Sequence, residues 1–345
     1  MQPNRLGITA IAPLVLGVAQ CRSHTQAPTV SHGGRGPRDF AEMQTATKQP
    51  RHLTLNEFAM IPAGRFKMGS MMPPEDPGED FPLHDVAVNK VYIAKHEVTK
   101  ALWDKISFWG TSHGYTDLPS GEGRAADHPV QLVSWYDVVK WCNARSEMEG
   151  ITPCYYSDTK LKLIYRTGDM DLGIAMVKWD ANGYRLPTEA EWEWAARGGL
   201  VGKRFPWGDT INHRDANFKN FGREAYQTGT MGYNPKFWDG HYANTSGNEF
   251  TKELYTSPVG SFAPNSYRLY DMAGNVWEWC WDWTGSCSAA LQTDPRGAAT
   301  GMERAIRGGS FSCCAGSCGV AGHTGAEPSV TSNEIGFRSA RTAIP

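Results

Sequence analysis

The sequence has no surplus of charge: 34 Lys and Arg stand against 36 Asp and Glu in 345 residues, a net charge of −2. Without a basic excess there is no electrostatic hold on a phosphate backbone, so nucleic acid is not expected as a partner. Long hydrophobic runs are missing too. The apolar run from Leu6 to Ala19 falls short of the roughly 20 residues needed to span a bilayer. Also absent are a P-loop, a dinucleotide-binding fingerprint behind a strand, an H-E-x-x-H helix and the C-x2-C pairs of a zinc ribbon. Gly110-Thr-Ser-His-Gly114 has the letters of a hydrolase nucleophile elbow, but it sits in a polar loop where that chemistry needs a strand, a sharp turn and a helix. Serine hydrolysis is therefore not expected.

Punctuation and aromatics are plentiful: 37 Gly, 21 Pro and 13 each of Trp, Tyr and Phe. With 40% hydrophobic and 20% charged residues, the chain reads as a soluble globular protein, rich in loops and held by aromatic packing. Met1 to Arg5 carries one positive charge ahead of the apolar run, the pattern of a secretion signal. Cys21 follows Val18-Ala19-Gln20, which leaves open lipidation at Cys21 or ordinary cleavage after Ala19. Residues 22–50 show no apolar period and read as a flexible tether. The expected organisation is a signal peptide at 1–20, a tether at 21–55 and one folded domain at 56–345. The protein is expected to be exported to the cell surface or periplasm as a monomer, with membrane attachment, if any, by a lipid anchor alone. Export permits disulfides. Of the eight cysteines, Cys142 with Cys154 and Cys280 with Cys287 are plausible local pairs, although spacing does not fix connectivity.

Within the domain, Phe58 to Gly69 reads as two short strands around Pro62 and Gly64, and Val86 to Ile93 as a half-buried strand. Thr99, Ser134 and Thr188 each open a helix. Asp137 and Glu191 stand three residues after the latter two, as a capping box requires, and Gly198-Gly199 stops the third helix. Beyond Gly199 only short strands and turns are expected. The whole is α+β, with residues 151–183 as an insertion or extra hairpin. His84-Asp85 and His96-Glu97 are expected in ordinary hydrogen-bonded or surface roles.

Seven segments occur in an order that resembles the formylglycine-generating (sulfatase-modifying factor) family over about residues 57–341. They are Met60-Ile-Pro-Ala-Gly-Arg-Phe-Lys-Met-Gly69, Glu97-Val-Thr99, His128-Pro-Val-Gln-Leu-Val-Ser-Trp135, Gly183-Tyr-Arg-Leu-Pro-Thr-Glu-Ala-Glu-Trp192, Asp271-Met-Ala-Gly-Asn-Val-Trp-Glu-Trp279, Arg307-Gly-Gly-Ser310 and Gly336-Phe-Arg338. The resemblance implies an elaborated C-type-lectin-like fold, and a family that holds oxidases, other enzymes and non-catalytic binding proteins. It further implies a structural Ca²⁺ on Asp271, Gly274, Val276 and Glu278, and a second on Asn217, Phe218 and Asp239, all oxygen donors suited to a hard cation. The family's oxidases bind Cu⁺ through two cysteines that match Cys313 and Cys318, soft thiolate ligands. Ser310 and Trp277 match their active-site serine and substrate-side tryptophan.

The surroundings depart from the oxidases. Cys314 stands where they carry His, and Gly319-Val-Ala-Gly-His323 replaces a Tyr- and Arg-rich stretch, so arginines that would clamp a peptide are missing. Most residues from Phe311 to Gly336 are Gly, Ala, Ser, Cys or Thr. This resembles the variable proteins of diversity-generating retroelements, which use the same fold to display a hypervariable C-terminal face, here a candidate region at 305–340. The face would comprise Phe311, Ser312, Cys313, Cys314, Ser317, Gly319, His323, Thr324 and Val330, binding a protein or peptide modestly for want of large anchors. The leading expectation is a ligand-binding or display protein. The alternative is a copper-dependent oxidase that converts a sulfatase cysteine to formylglycine through Cys313 and Cys318.

Overall fold

Local signals decide where the helices begin. The computed structural model describes residues 56–70, 83–222, 225–237, 255–285 and 290–343. The expected signal peptide, tether and Cys21 lie outside these residues, as do Asp239 and Cys287. Four strands, β1 (Phe58–Ile61), β2 (Gly64–Met68), β3 (His84–Val88) and β4 (Val91–Ala94), precede helices α1 (Lys100–Thr111) and α2 (Trp135–Met148). After β5 (Tyr184–Arg185) comes α3 (Glu189–Arg197). The remaining strands are β6 (Lys219–Asn220), β7 (Gly232–Tyr233), β8 (Trp277–Trp283), β9 (Gln292–Thr293), β10 (Arg304–Arg307), β11 (His323–Ala326), β12 (Ile335–Gly336) and β13 (Ala340–Thr342). Thr99 accepts from Leu102 N, and both capping boxes form, Ser134 with Asp137 and Thr188 with Glu191. Gly198 closes α3 in the left-handed region at φ 56°, a conformation that costs glycine little.

The sheets run β1-β4-β13-β5, β11-β10-β8-β12, β2-β3-β9 and β6-β7. The single strand expected at 86–93 is two strands in different sheets. Asp294 accepts from Asn89 N at 2.7 Å and holds the break between them, a contact more than 200 positions away that no local pattern carries. Residues 151–183 are neither a separate insertion nor a regular hairpin. Isolated bridges (Tyr155 with Val177, Tyr156 with Ile164) and a 3₁₀ turn at Ile174–Met176 lay Tyr155, Tyr165, Leu172 and Val177 into the main core.

Strand β8, Trp-Glu-Trp-Cys-Trp-Asp-Trp, is buried at every position. Its Trp281 packs on Trp135, Tyr155 and Trp179 at ring distances of 5.4–5.7 Å. Arg304 lies 3.7 Å from the Trp135 ring and 3.5 Å from Trp283, and donates to the Trp281 and Leu172 carbonyls. Three buried arginines of this core are held by carboxylates. Arg338 holds Glu278, Arg307 holds Glu193 and Arg185 holds Glu191, all nearly fully buried. Cys142, Cys154 and Cys280 are buried free thiols, so the plausible Cys142–Cys154 bridge is not formed, while the Cys280–Cys287 pairing falls on a residue outside those described. The loop after α2 is tied without a bridge, because Asn143 Oδ1 accepts from both Cys154 N and Tyr155 N.

Asp282 in β8 has no cationic hydrogen-bond partner; it accepts from Glu189 N at 2.8 Å. Burial, reinforced by Glu189, pushes its carboxyl up to about 8. The unfolded chain releases this proton near about pH 4, so across the window from there to about pH 8 stability falls as pH rises. Asp282→Asn retains an acceptor for Glu189 N and should flatten that fall. Urea unfolding is expected to find the variant gaining on the parent between pH 5 and pH 8, and parallel curves would contradict the assignment.

Candidate functional site

The site begins where β10 ends. Arg307 is followed by Gly308 and Gly309 at φ 95° and 75°. A Cβ on Gly309 would come within 2.8 Å of Cys318 Sγ, so a side chain there would push Cys318 away. Past this turn Ser310 is fully buried, and the chain crosses the end of β8 beside Trp277.

Cys313 is half-buried. Its Sγ accepts from Trp277 Nε1 at 3.1 Å and lies 3.2 Å from Ser310 Oγ. Ser310 Oγ and Ser312 Oγ each sit 2.5 Å from Glu334 Oε2, and Cys313 Sγ is 3.9 Å from the same oxygen. Ser310 has one hydroxyl proton, which it can give either to Glu334 Oε2 or to Cys313 Sγ. Burial, with the Glu334 charge adding to it, keeps the Cys313 thiol above its usual range despite the hydroxyl and indole contacts. Cys318 is fully buried and pushed up further, first by burial and then by Cys313 and Cys314. Cys314 is half-buried with Ser317 Oγ at 3.4 Å. The structure thus groups Cys313, Cys318, Ser310 and Trp277 as the resemblance implies. It adds Glu334, which sequence reasoning passed over; its only signal was an acid directly before Ile-Gly-Phe-Arg, beside a strand that had to pair with β8. The two sulfurs form a soft donor set that suits copper(I), which would displace the thiol protons as it bound.

The expected binding face is only partly a face. Ser312, Cys313, Cys314 and Ser317 are half-buried and Thr324 is exposed. Phe311 is 4% exposed, its N–H donating to Asn275 O, and Gly319 is buried with its Cα side 3.4 Å from the Arg204 carbonyl were a Cβ added. Val330 packs against the main core. These three belong to the support rather than the display surface. His323 turns toward α3, its Nδ1 3.2 Å from Glu189 Oε1 at ion-pair distance.

Of the calcium positions, Glu278 has both oxygens engaged, with Arg338 at 2.5 and 2.6 Å and Trp192 Nε1 at 2.7 Å. Asp271 Oδ2 accepts from Gly260 N, while its buried Oδ1 has no hydrogen-bond partner. Burial pushes Asp271 up to about 6, and burial with Asp271 and Glu278 pushes neighbouring Glu97 well above the usual carboxylate range. Three carboxylates around one guanidinium leave room for a positive charge. A hard cation fits that donor chemistry at Asp271 Oδ1 and the Gly274 and Val276 carbonyls, with Glu278 remaining on Arg338. Among the described residues no three His, Cys, Asp or Glu side chains converge as a metal cage. At the second position Asn217 donates to Tyr255 O and Phe218 is buried; Asp239 is outside the described residues.

The sequence profile described as "Sulfatase-modifying factor enzyme 1-like domain" matches residues 42–343. The chain belongs to the sulfatase-modifying factor family. It is 41% identical over 259 residues to the formylglycine-generating enzyme of Thermomonospora curvata, covering 70% of this chain and 67% of that one. It is also 30% identical over 311 residues to the inactive Cα-formylglycine-generating enzyme 2 of Mus musculus, covering 82% and 85%. Treponema denticola variable protein 1 superposes with a TM-score of 0.60 at 28% identity, covering 82% of this chain and 94% of that one. The family is therefore settled, the fold is that of a single α+β sulfatase-modifying-factor domain, and relatives fall on both sides of catalysis.

Removing the Glu334 charge tests the electrostatics of the cluster. Glu334→Gln should move the pH profile of Cys313 alkylation, followed by peptide mass mapping, toward lower pH. An unmoved profile would mean that Glu334 does not govern the thiol.

Proposed function

We propose that this exported family member is a non-catalytic binding protein that presents residues 312–324 to a protein or peptide ligand. One observation carries the reading: the segment is anchored by its main chain. Arg307 donates to the Val320, Ala321 and Gly322 carbonyls. Val320 N donates to Arg204 O, Lys219 N to Cys313 O, and Phe311 N to Asn275 O. Hydrogen bonds to backbone atoms do not depend on the side chains at Ser312, Cys314, Ser317 and Thr324, which is the physical requirement for a surface whose residues change while its frame does not. The likeness to the Treponema variable protein supports the same reading.

Cys313 and Cys318 keep the oxidase reading in view, because Trp277 and Ser310 both reach Cys313. Against it stands Gly319-Val-Ala-Gly-His323, which replaces the Tyr- and Arg-rich stretch of the oxidases and leaves no arginines there to clamp a peptide. The deciding experiment incubates reduced protein, loaded with Cu(I) under oxygen, with a peptide containing Cys-x-Pro-x-Arg. Mass spectrometry is expected to find the peptide cysteine unchanged. Conversion to the aldehyde that disappears in Cys313→Ser would overturn the binding reading.

A further inference from the structure

The small residues at 316–322 have a second face. On the side away from Cys313 they wall a cavity of about 500 Å³, whose lining includes Gly316, Gly319, Ala321 and Gly322. The opposite wall is built by β2 and the end of α3, with Phe66, Trp194, Leu200 and Val201 as its apolar part. Phe66 and Trp194 pack ring to ring at 5.2 Å, and Trp194 Nε1 is fixed on Pro62 O. This wall is therefore set by the fold and not by the segment facing it. The volume falls within the range of small-molecule sites.

The charge around the opening is one-sided. Arg65, Lys67, Lys203 and Arg204 line it, and Asp85 is the one carboxylate among the described lining residues. Lys67 holds Asp85 only as a solvent-exposed pair, at 61% and 54% side-chain exposure, which is weak and exchangeable. Lys203 pairs outward with Asp209, again in solvent. Arg65 is exposed on β2.

We infer that this cavity binds a small amphipathic anion, an apolar ring or chain that enters against Phe66 and Trp194 with a carboxylate, sulfonate or phosphate held at the Arg65–Lys67 rim. This goes beyond the proposed function and does not depend on it, since the cavity lies apart from the Cys313 cluster and would exist in an oxidase as well. Because Ala321 forms part of one wall, a larger residue there would close the cavity, whereas a Cβ on Gly319 or Gly322 would meet backbone oxygens at 2.9–3.1 Å.

Fluorescence titration with anilinonaphthalene sulfonate, and with its uncharged counterpart N-phenylnaphthylamine, tests this on the folded protein. A single saturable sulfonate site is expected, with weaker binding of the uncharged probe. Arg65→Glu reverses an exposed charge and should weaken the sulfonate by about tenfold while leaving the neutral probe unchanged. Ala321→Trp should weaken both probes at an unchanged melting temperature; if that variant does not fold, Arg65→Glu still decides. Absence of a saturable site, or equal affinity for both probes in the parent and in Arg65→Glu, would overturn the inference.

Discussion

The buried pair between Arg307 and Glu193, 2.5 Å apart with neither side chain exposed, is the constraint on which the C-terminal half of the site depends. Glu193 comes from the middle of α3, whose start is fixed by its own capping box, and it also accepts from Arg197 and from Gly69 N. Arg307 comes from β10 and gives three further hydrogen bonds from its terminal nitrogens to three successive carbonyls of the following loop. Helix, strand and loop are thus locked by one guanidinium. The low dielectric of the interior strengthens each of these bonds, and removal of either charge would leave its partner buried and uncompensated.

A consequence is the division of labour along residues 307–324. Gly309 lets Cys318 approach the turn, Ser310 is buried, and Phe311 and Gly319 pack inward. Between these anchors, Ser312, Cys314 and Ser317 are half-exposed and make few contacts the fold requires. The same arrangement that supports a catalytic cysteine pair in an oxidase can therefore hold a changeable surface, and relatives of both kinds are compatible with one scaffold. Beside Cys313 this chain places the Glu334 carboxylate, 3.9 Å from the sulfur.

Much of the frame was legible in the sequence. Caps at Thr99, Ser134 and Thr188 and the Gly198 stop are short-range signals, and the ordered family segments located Trp277, Ser310, Cys313 and Cys318 together. Long-range contacts were not legible. Asn89 turns because of Asp294, and Phe311 is buried where the loop after β10 bonds to Asn275 O; neither fact leaves a periodic trace. The pairing of Glu278 with Arg338 also left no local trace, since the two residues lie 60 positions apart. Glu334, His323 and the cavity behind 316–322 follow from how strands β8, β10, β11 and β12 are ordered, which composition does not encode.

The central claim is that the frame of this segment does not depend on its displayed side chains. The most direct measurement is to randomise Ser312, Cys314, Ser317 and Thr324 together and read the stability of individual clones by pulse proteolysis, with Arg307→Met alongside. The account predicts that most clones stay near the parent, each surface change costing within about 0.5 kcal/mol, while Arg307→Met loses about 3–5 kcal/mol. A library in which most clones unfold, or an Arg307→Met variant as stable as the parent, would contradict it.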